Sequence, residues 1–367
     1  MSAAGTRGTG AHEARNARIL RIATRSVAFG VFLLLLAGAL VTSTESGLAV
    51  PDWPLSYGKV MPPMVGGILY EHGHRLVAAA VSTLVGLELG ALLFFLEGKR
   101  TVKLLAAAAF GAILLQAVLG GLTVLFLLPP AISSAHAALA EIVFALTAVV
   151  ALMCSKSWDD LTAHDVFPRM ADVKGPRPLS GARSAPLTSA IREENPHLSG
   201  LHQQPRISES LSFAFRWTLA ATGAIYVQIL LGAVMRHTGA GLAIPDFPLA
   251  FGRFWPSLEE LQRPGVALHL AHRIGALVVV LLVVFATRAL ARLSSVHTVF
   301  GGFAAAWTGL VAIQILLGAL SIWSRKAPSL TAAHLAGGAL CWVVGVLAAA
   351  CLGACRNLPN AVSSSRA

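Results

Sequence analysis

Charged residues are scarce in this sequence, and acidic ones are the scarcest, with 17 Asp and Glu against 28 Lys and Arg. At 12% charged and 56% hydrophobic residues, with a mean hydropathy of +0.71, the composition excludes an ordinary soluble domain. Cysteine is rare as well. All four (Cys154, Cys341, Cys351, Cys355) fall within or at the inner ends of apolar runs, which leaves no thiol in a loop for an extracytoplasmic disulfide. A clear small-residue cleavage site is missing after the first apolar run, which is therefore read as a retained span.

What is abundant is long apolar sequence. Eight runs are long enough to cross a hydrocarbon core, which takes about 20 helical residues. They are Ser26–Thr44, Tyr70–Leu96, Thr101–Leu127, Ile132–Cys154, Phe213–Met235, Val266–Leu290, Thr298–Trp323 and Ser329–Cys355. The net charge of +11 invites a nucleic-acid partner, but its distribution rejects one: 20 of the 28 basic residues fall on one side of the alternating spans and six on the other. By the positive-inside rule this makes both termini cytoplasmic, so the basicity reports topology. Residues 155–212, with six prolines and little apolar periodicity, read as a mostly disordered cytoplasmic linker whose histidines (His164, His197, His202) are solvated.

The last four spans repeat the first four. GALVTSTESGLAVPDWPLSYGK (Gly38–Lys59) is answered by GAVMRHTGAGLAIPDFPLAFGR (Gly232–Arg253), and EHGHR (Glu71–Arg75) by HLAHR (His269–Arg273). At a constant offset of 198, His74 maps to His272, Gln116 to Gln314, Gly120 to Gly318 and His136 to His334. The expected fold is all-α and integral to the membrane: eight transmembrane helices as two tandem, parallel-repeat four-helix bundles. The expected organisation is a basic tail 1–25, bundles 26–154 and 213–355 flanking the linker 155–212, and a tail 356–367.

Ionisable side chains inside a bilayer are costly and are functional candidates by default. Each of the four histidines lies about five residues into a span that enters from the outer face, roughly 6–10 Å deep at 1.5 Å per residue. Two imidazoles at equal depth on different helices can hold an iron from opposite sides, as in a bis-His haem. Zinc usually takes four ligands in a closed tetrahedral set, and no Cys or carboxylate cluster supplies the missing two. Arg75 and Arg273 each follow a histidine; a guanidinium there could pair with haem propionates or simply snorkel to the interface. The small residues near Gln116 and Gln314 allow close helix approach, for packing or for a flat cofactor.

The halves differ at one telling position. Glu71 lies three residues before His74, on the same helix face, and its counterpart is His269. A carboxylate can act as a base or stabilise developing positive charge, which an imidazole cannot do in the same way. Glu88 and Glu141 face Ala286 and Ala339 in the repeat and could belong to a proton path or be buried neutral acids. His72 and His237 lack repeat partners. The Gly- and Pro-rich loops with their Pro-Asp-aromatic-Pro core read as lids, with Trp53, Tyr57, Phe247 and Phe251 at the bilayer surface.

TESGL, PDWPL and GK in the first loop, E-x-x-H-R opening the second span, and duplicated four-helix halves with four histidines together resemble the haem A synthase family, across essentially every span. The resemblance implies oxidation of the C8 methyl of haem O to a formyl group, giving haem A for terminal oxidases. It implies a haem b cofactor on His272 and His334, a substrate haem facing His74 and His136, and Glu71 as the catalytic carboxylate. Implied partners are haem O, the prenyltransferase that forms it, an electron acceptor and membrane lipid, but no nucleic acid; a homo-oligomer is compatible. Some bacterial members carry a cysteine pair flanking the DWPL segment, where this chain has Val50 or Pro51 and Ser56. The competing reading is a di-haem b electron-transfer cytochrome. A haem O-forming prenyltransferase would need Asp-rich loops, and none is found.

Overall fold

The structure is a computed structural model that describes residues 5–163 and 196–356. Its ten α-helices there are α1 (Gly5–Ser43), α2 (Gly67–Phe95), α3 (Arg100–Leu125), α4 (Pro130–Met153), α5 (Lys156–Thr162), α6 (Pro196–His237), α7 (Leu258–Leu261), α8 (Pro264–Arg292), α9 (Thr298–Trp323) and α10 (Pro328–Arg356). Among the described residues there is no β-strand, only two isolated bridges within loops. All but α5 and α7 contain a stretch long and apolar enough to cross a membrane, eight candidate spans in all.

The helix ends follow from local chemistry. Pro130 and Pro264 open α4 and α8, where a missing N–H costs nothing. After α3 the chain reverses through Leu127 and Leu128 at positive φ, with the Leu128 N–H donating to the Thr123 carbonyl at 2.7 Å. After α9 it does the same through Arg325 and Lys326, with Lys326 N–H on Ser321 at 2.7 Å. These back-bonds satisfy carbonyls that the helix leaves open.

Helix neighbours fall into two sets. In the first half α1 packs on α2 and α4, and α3 joins α2 to α4. In the second α6 packs on α8 and α10, and α9 joins α8 to α10. The seam between them is made by α10 on α1 and by α4 on α6 and α10. Burial reports the same arrangement: 61% of the most apolar window of α10 and 44% of that of α4 is buried, against 17–33% elsewhere. The outer helices present large apolar side chains such as Phe94, Leu277 and Phe285 to the surroundings, as lipid-facing helices do. Small residues place α10 centrally: a Cβ on Gly345 would stand 2.7 Å from the Trp307 ring, itself fully buried.

Helix also extends beyond the ends of the spans. The basic tail is helical from Gly5 onward, as a continuous extension of α1. The stretch expected to be a disordered linker is helical at both ends, in α5 and in the start of α6. Ser155 caps α5 by accepting the Trp158 N–H, and Leu161 is buried in the main core, so this segment has a cap and an apolar anchor. Residues 164–195, the side chains of His197 and His202, and the tail from 357 lie outside the described residues.

Candidate functional site

Each of the four repeat histidines rests against a glycine of a neighbouring helix. A Cβ on Gly38, Gly120 or Gly232 would stand 3.1 Å from Cε1 of His74, His136 or His272, and one on Gly318 would stand 3.2 Å from Cε1 of His334. Only glycine leaves the ring this room. Within each half the two histidines are close enough to interact electrostatically, His74 with His136 and His272 with His334. In His74, His136 and His334, Nδ1 is buried without a hydrogen-bond partner, whereas Nε2 of all four is neither hydrogen-bonded nor sealed off. Two ring nitrogens per half are thus left available. Among the described residues no three His, Cys, Asp or Glu side chains gather as a bare-ion site. Paired imidazoles in glycine cradles fit the axial ligands of a flat macrocycle better than a chelated ion.

Glutamines brace this arrangement. Gln116 donates to the His136 carbonyl at 2.8 Å and Gln314 to the His334 carbonyl at 2.7 Å. Gln228, which sequence reasoning missed, donates to the His272 carbonyl at 2.7 Å and lies 3.1 Å from its Nδ1. Its signal was in the chain: Gln228 and Gly232 have the same spacing as Gln116 and Gly120, and as Gln314 and Gly318.

The two long loops share one construction. Asp52 accepts the N–H groups of Tyr57 and Gly58 at 2.7 and 2.9 Å, and Asp246 accepts those of Phe251 and Gly252 at 2.8 and 2.7 Å. Tyr57–Gly58 and Phe251–Gly252 both have positive φ, between 54° and 74°, and glycine takes the second place at little cost. Both loops have cis peptides, Trp53–Pro54 and Phe247–Pro248. Hydrogen bonds, from Gly58 first and then Tyr57, hold the Asp52 carboxyl below its ordinary pKa. For Asp246 burial pushes upward, but the amides of Gly252 and Phe251 outweigh it and the net shift is downward.

These loops are pinned to the helices that carry the histidines. Arg75 donates to the carbonyls of Asp52 at 2.7 Å, Leu55 at 2.9 Å and Val50 at 3.1 Å, and pairs with Glu71 at 2.6 Å. All its terminal N–H groups are engaged. Arg273 donates to the carbonyls of Leu249, Ile244 and Asp246 and lies over the Phe247 ring. Both guanidinium groups therefore anchor loops here. Trp53 lies against α3, where a Cβ on Gly121 would come within 2.7 Å of the indole, next to the Gly120–His136 contact.

Glu71 is buried, with Oε1 on Arg75 and Oε2 accepting the Val50 N–H at 2.7 Å. His269 fills its place in the second half, and its Nδ1 accepts the Ile244 N–H at 3.2 Å. Both side chains hold the loop, but only Glu71 brings a carboxylate. His72 is buried on the Ser56 hydroxyl at 2.7 Å, while Glu88 and Glu141 are buried, each with a buried oxygen that has no hydrogen-bond partner.

A family model described as "Cytochrome oxidase assembly protein" (COX15-CtaA) matches residues 187–346. The chain is 26% identical to the heme A synthase of Lysinibacillus sphaericus, over 87% of its own length and 92% of that relative's. It is 27% identical to the heme A synthase of Halalkalibacterium halodurans, over 82% and 84% of the two chains. With that of Symbiobacterium thermophilum the identity is 29%, over 79% and 81%. The chain is thus similar to haem A synthases along most of its length. For a haem A synthase relative the glycine-cradled histidine pairs are the feature to explain, because the alignments extend through both halves that carry them.

Proposed function

We propose that this protein is a haem A synthase, a multi-pass enzyme of the bacterial inner membrane with both termini cytoplasmic, which oxidises the C8 methyl of haem O to a formyl group. What carries the reading is the combination of two histidine pairs in matching glycine cradles with a buried carboxylate, Glu71, beside one pair alone. Two tandem four-helix bundles are the arrangement that this reading uses. His272 and His334 would hold a resident haem b, and His74 and His136 would receive the substrate. A bound haem supplies one-electron redox chemistry at these sites.

The chain's own residues do the rest. His74 and His136 would hold the substrate by its iron, with Glu71 on the helix that carries His74. Glu71 sits one helical turn before His74, its oxygens fixed by Arg75 and by the Val50 N–H. A carboxylate so held can take up a proton released from the methyl carbon or stabilise positive charge on it, at both oxidation steps. Val50, Asp52 and Leu55, held by Arg75, keep the loop down over the carboxylate and restrict water. Lacking the loop cysteine pair, this chain would work without a thiol or disulfide there.

The test is pigment analysis of membranes that contain this chain and a haem O source. Haem A should appear with the intact protein, and with Glu71→Gln it should fall about 10²-fold or more while haem O binding persists. A chain that binds two reversibly reducible haems and forms no haem A would instead be a di-haem cytochrome, a reading favoured by the near-identical cradles of the two halves.

A further inference from the structure

Three of the four helix pairs that carry a cradled histidine are clamped at its level by a glutamine: α3–α4 by Gln116, α6–α8 by Gln228 and α9–α10 by Gln314. The fourth, α1–α2, is not. Leu34 occupies the place of Gln228, and among the described residues no side-chain hydrogen bond joins α1 to α2. The facing surface differs to match. The amide oxygens of Gln228 and Gln314 lie so close to Gly275 and Gly337, three residues after their histidines, that a Cβ there could not fit. The residue three after His74 is Val77, which packs with Leu34 against the core. The seam is apolar on both sides.

An apolar contact that opens gives up dispersion but leaves no polar group unsatisfied. A buried amide-to-carbonyl bond leaves an unsatisfied group as soon as it opens. α2 is also peripheral, packing on α1 and α3 and not on the second half. Its start is tied to the loop, because Glu71 and Arg75 bond to Val50, Asp52 and Leu55.

We propose that the α1–α2 seam is the gate through which the first site exchanges its porphyrin, and that the residue at position 34 sets how readily it opens. Leu34 makes that site exchangeable, whereas Gln228 makes the corresponding seam of the second site retain its ligand. Leu34, Val77 and Gln228 are positioning residues: they act through the helices that carry His74 and His272. The inference rests on the reading of the first half as the substrate site.

The experiment loads the purified full-length chain with iron protoporphyrin IX and follows its transfer to excess apomyoglobin by absorbance. The intact protein should lose haem in two phases, the fast one abolished by His74→Ala and the slow one by His272→Ala. The double variant Leu34→Gln/Val77→Gly, which supplies both the amide and the room for it, should slow the fast phase by about tenfold, the worth of one buried hydrogen bond. Gln228→Leu should speed the slow phase by a similar factor with the bis-imidazole absorption spectrum unchanged. Separate phases whose rates ignore positions 34 and 228 would overturn the gate and leave the substrate-site reading standing. Release that His74→Ala does not alter would remove the substrate-site reading itself.

Discussion

Glu71 and His269 show how one position can keep its structural duty and change its chemistry. Each accepts a backbone N–H from the loop, at Val50 and Ile244 respectively, so the fold requires only an acceptor there. Replacing Glu71 with His should therefore leave the protein folded and able to bind haem but without haem A formation, read by pigment extraction beside haem content. Asp52 and Asp246 allow a prediction on pH. Their carboxyls are held below the ordinary value by loop amides, so the contribution of the charged form is present above about pH 4, the unfolded value, and is lost as pH falls through the lower folded value. Amide exchange at Tyr57, Gly58, Phe251 and Gly252 should stay slow down to about pH 4 and quicken below it. Asp52→Asn should weaken protection in the first loop at neutral pH and abolish its acid dependence.

At the scale of the element, the glycine cradles are the sensitive points. A Cβ at Gly120 or Gly318 would already crowd a histidine ring at 3.1 or 3.2 Å. Valine adds two further methyls and should cost about 1–3 kcal/mol by overpacking. Gly120→Val should reduce haem bound by the first half alone, and Gly318→Val by the second half alone, as read from the two exchange phases. If both variants lower both phases equally, the cradles are general packing contacts. The helices themselves were legible in the sequence because hydropathy is summed along the chain, and each of the eight expected runs lies almost wholly within a helix. The extension of α1 to Gly5 and the short helix α5 were not. Neither has the long apolar run that announces a span, and α5 depends on a cap at Ser155 and on burial of Leu161 among side chains far along the chain.

Across the whole molecule, α10 and α4 bear the contact between halves, reinforced where Arg236 reaches Ser43 at 2.5 Å and the Tyr226 hydroxyl reaches the Ala138 carbonyl at 3.2 Å. Gly345→Leu would drive a side chain into Trp307 in this interior and should destabilise the fold by a few kcal/mol. A lower midpoint in thermal unfolding in detergent would measure it, and an unchanged midpoint would contradict the close contact.

The chain order alone determined the eight spans, the repeat correspondence of His74 with His272 and of His136 with His334, and the replacement of Glu71 by His269 in the second half, because hydropathy and internal repetition are properties of a string of residues. Tertiary structure decided what the polar groups do. Arg75 reaches carbonyls 20–25 residues away, Gln228 a histidine 44 residues away, and Leu34 leaves the one seam without a clamp. Hydrogen bonds are settled by distance and direction in space, and composition or periodicity has no term for either.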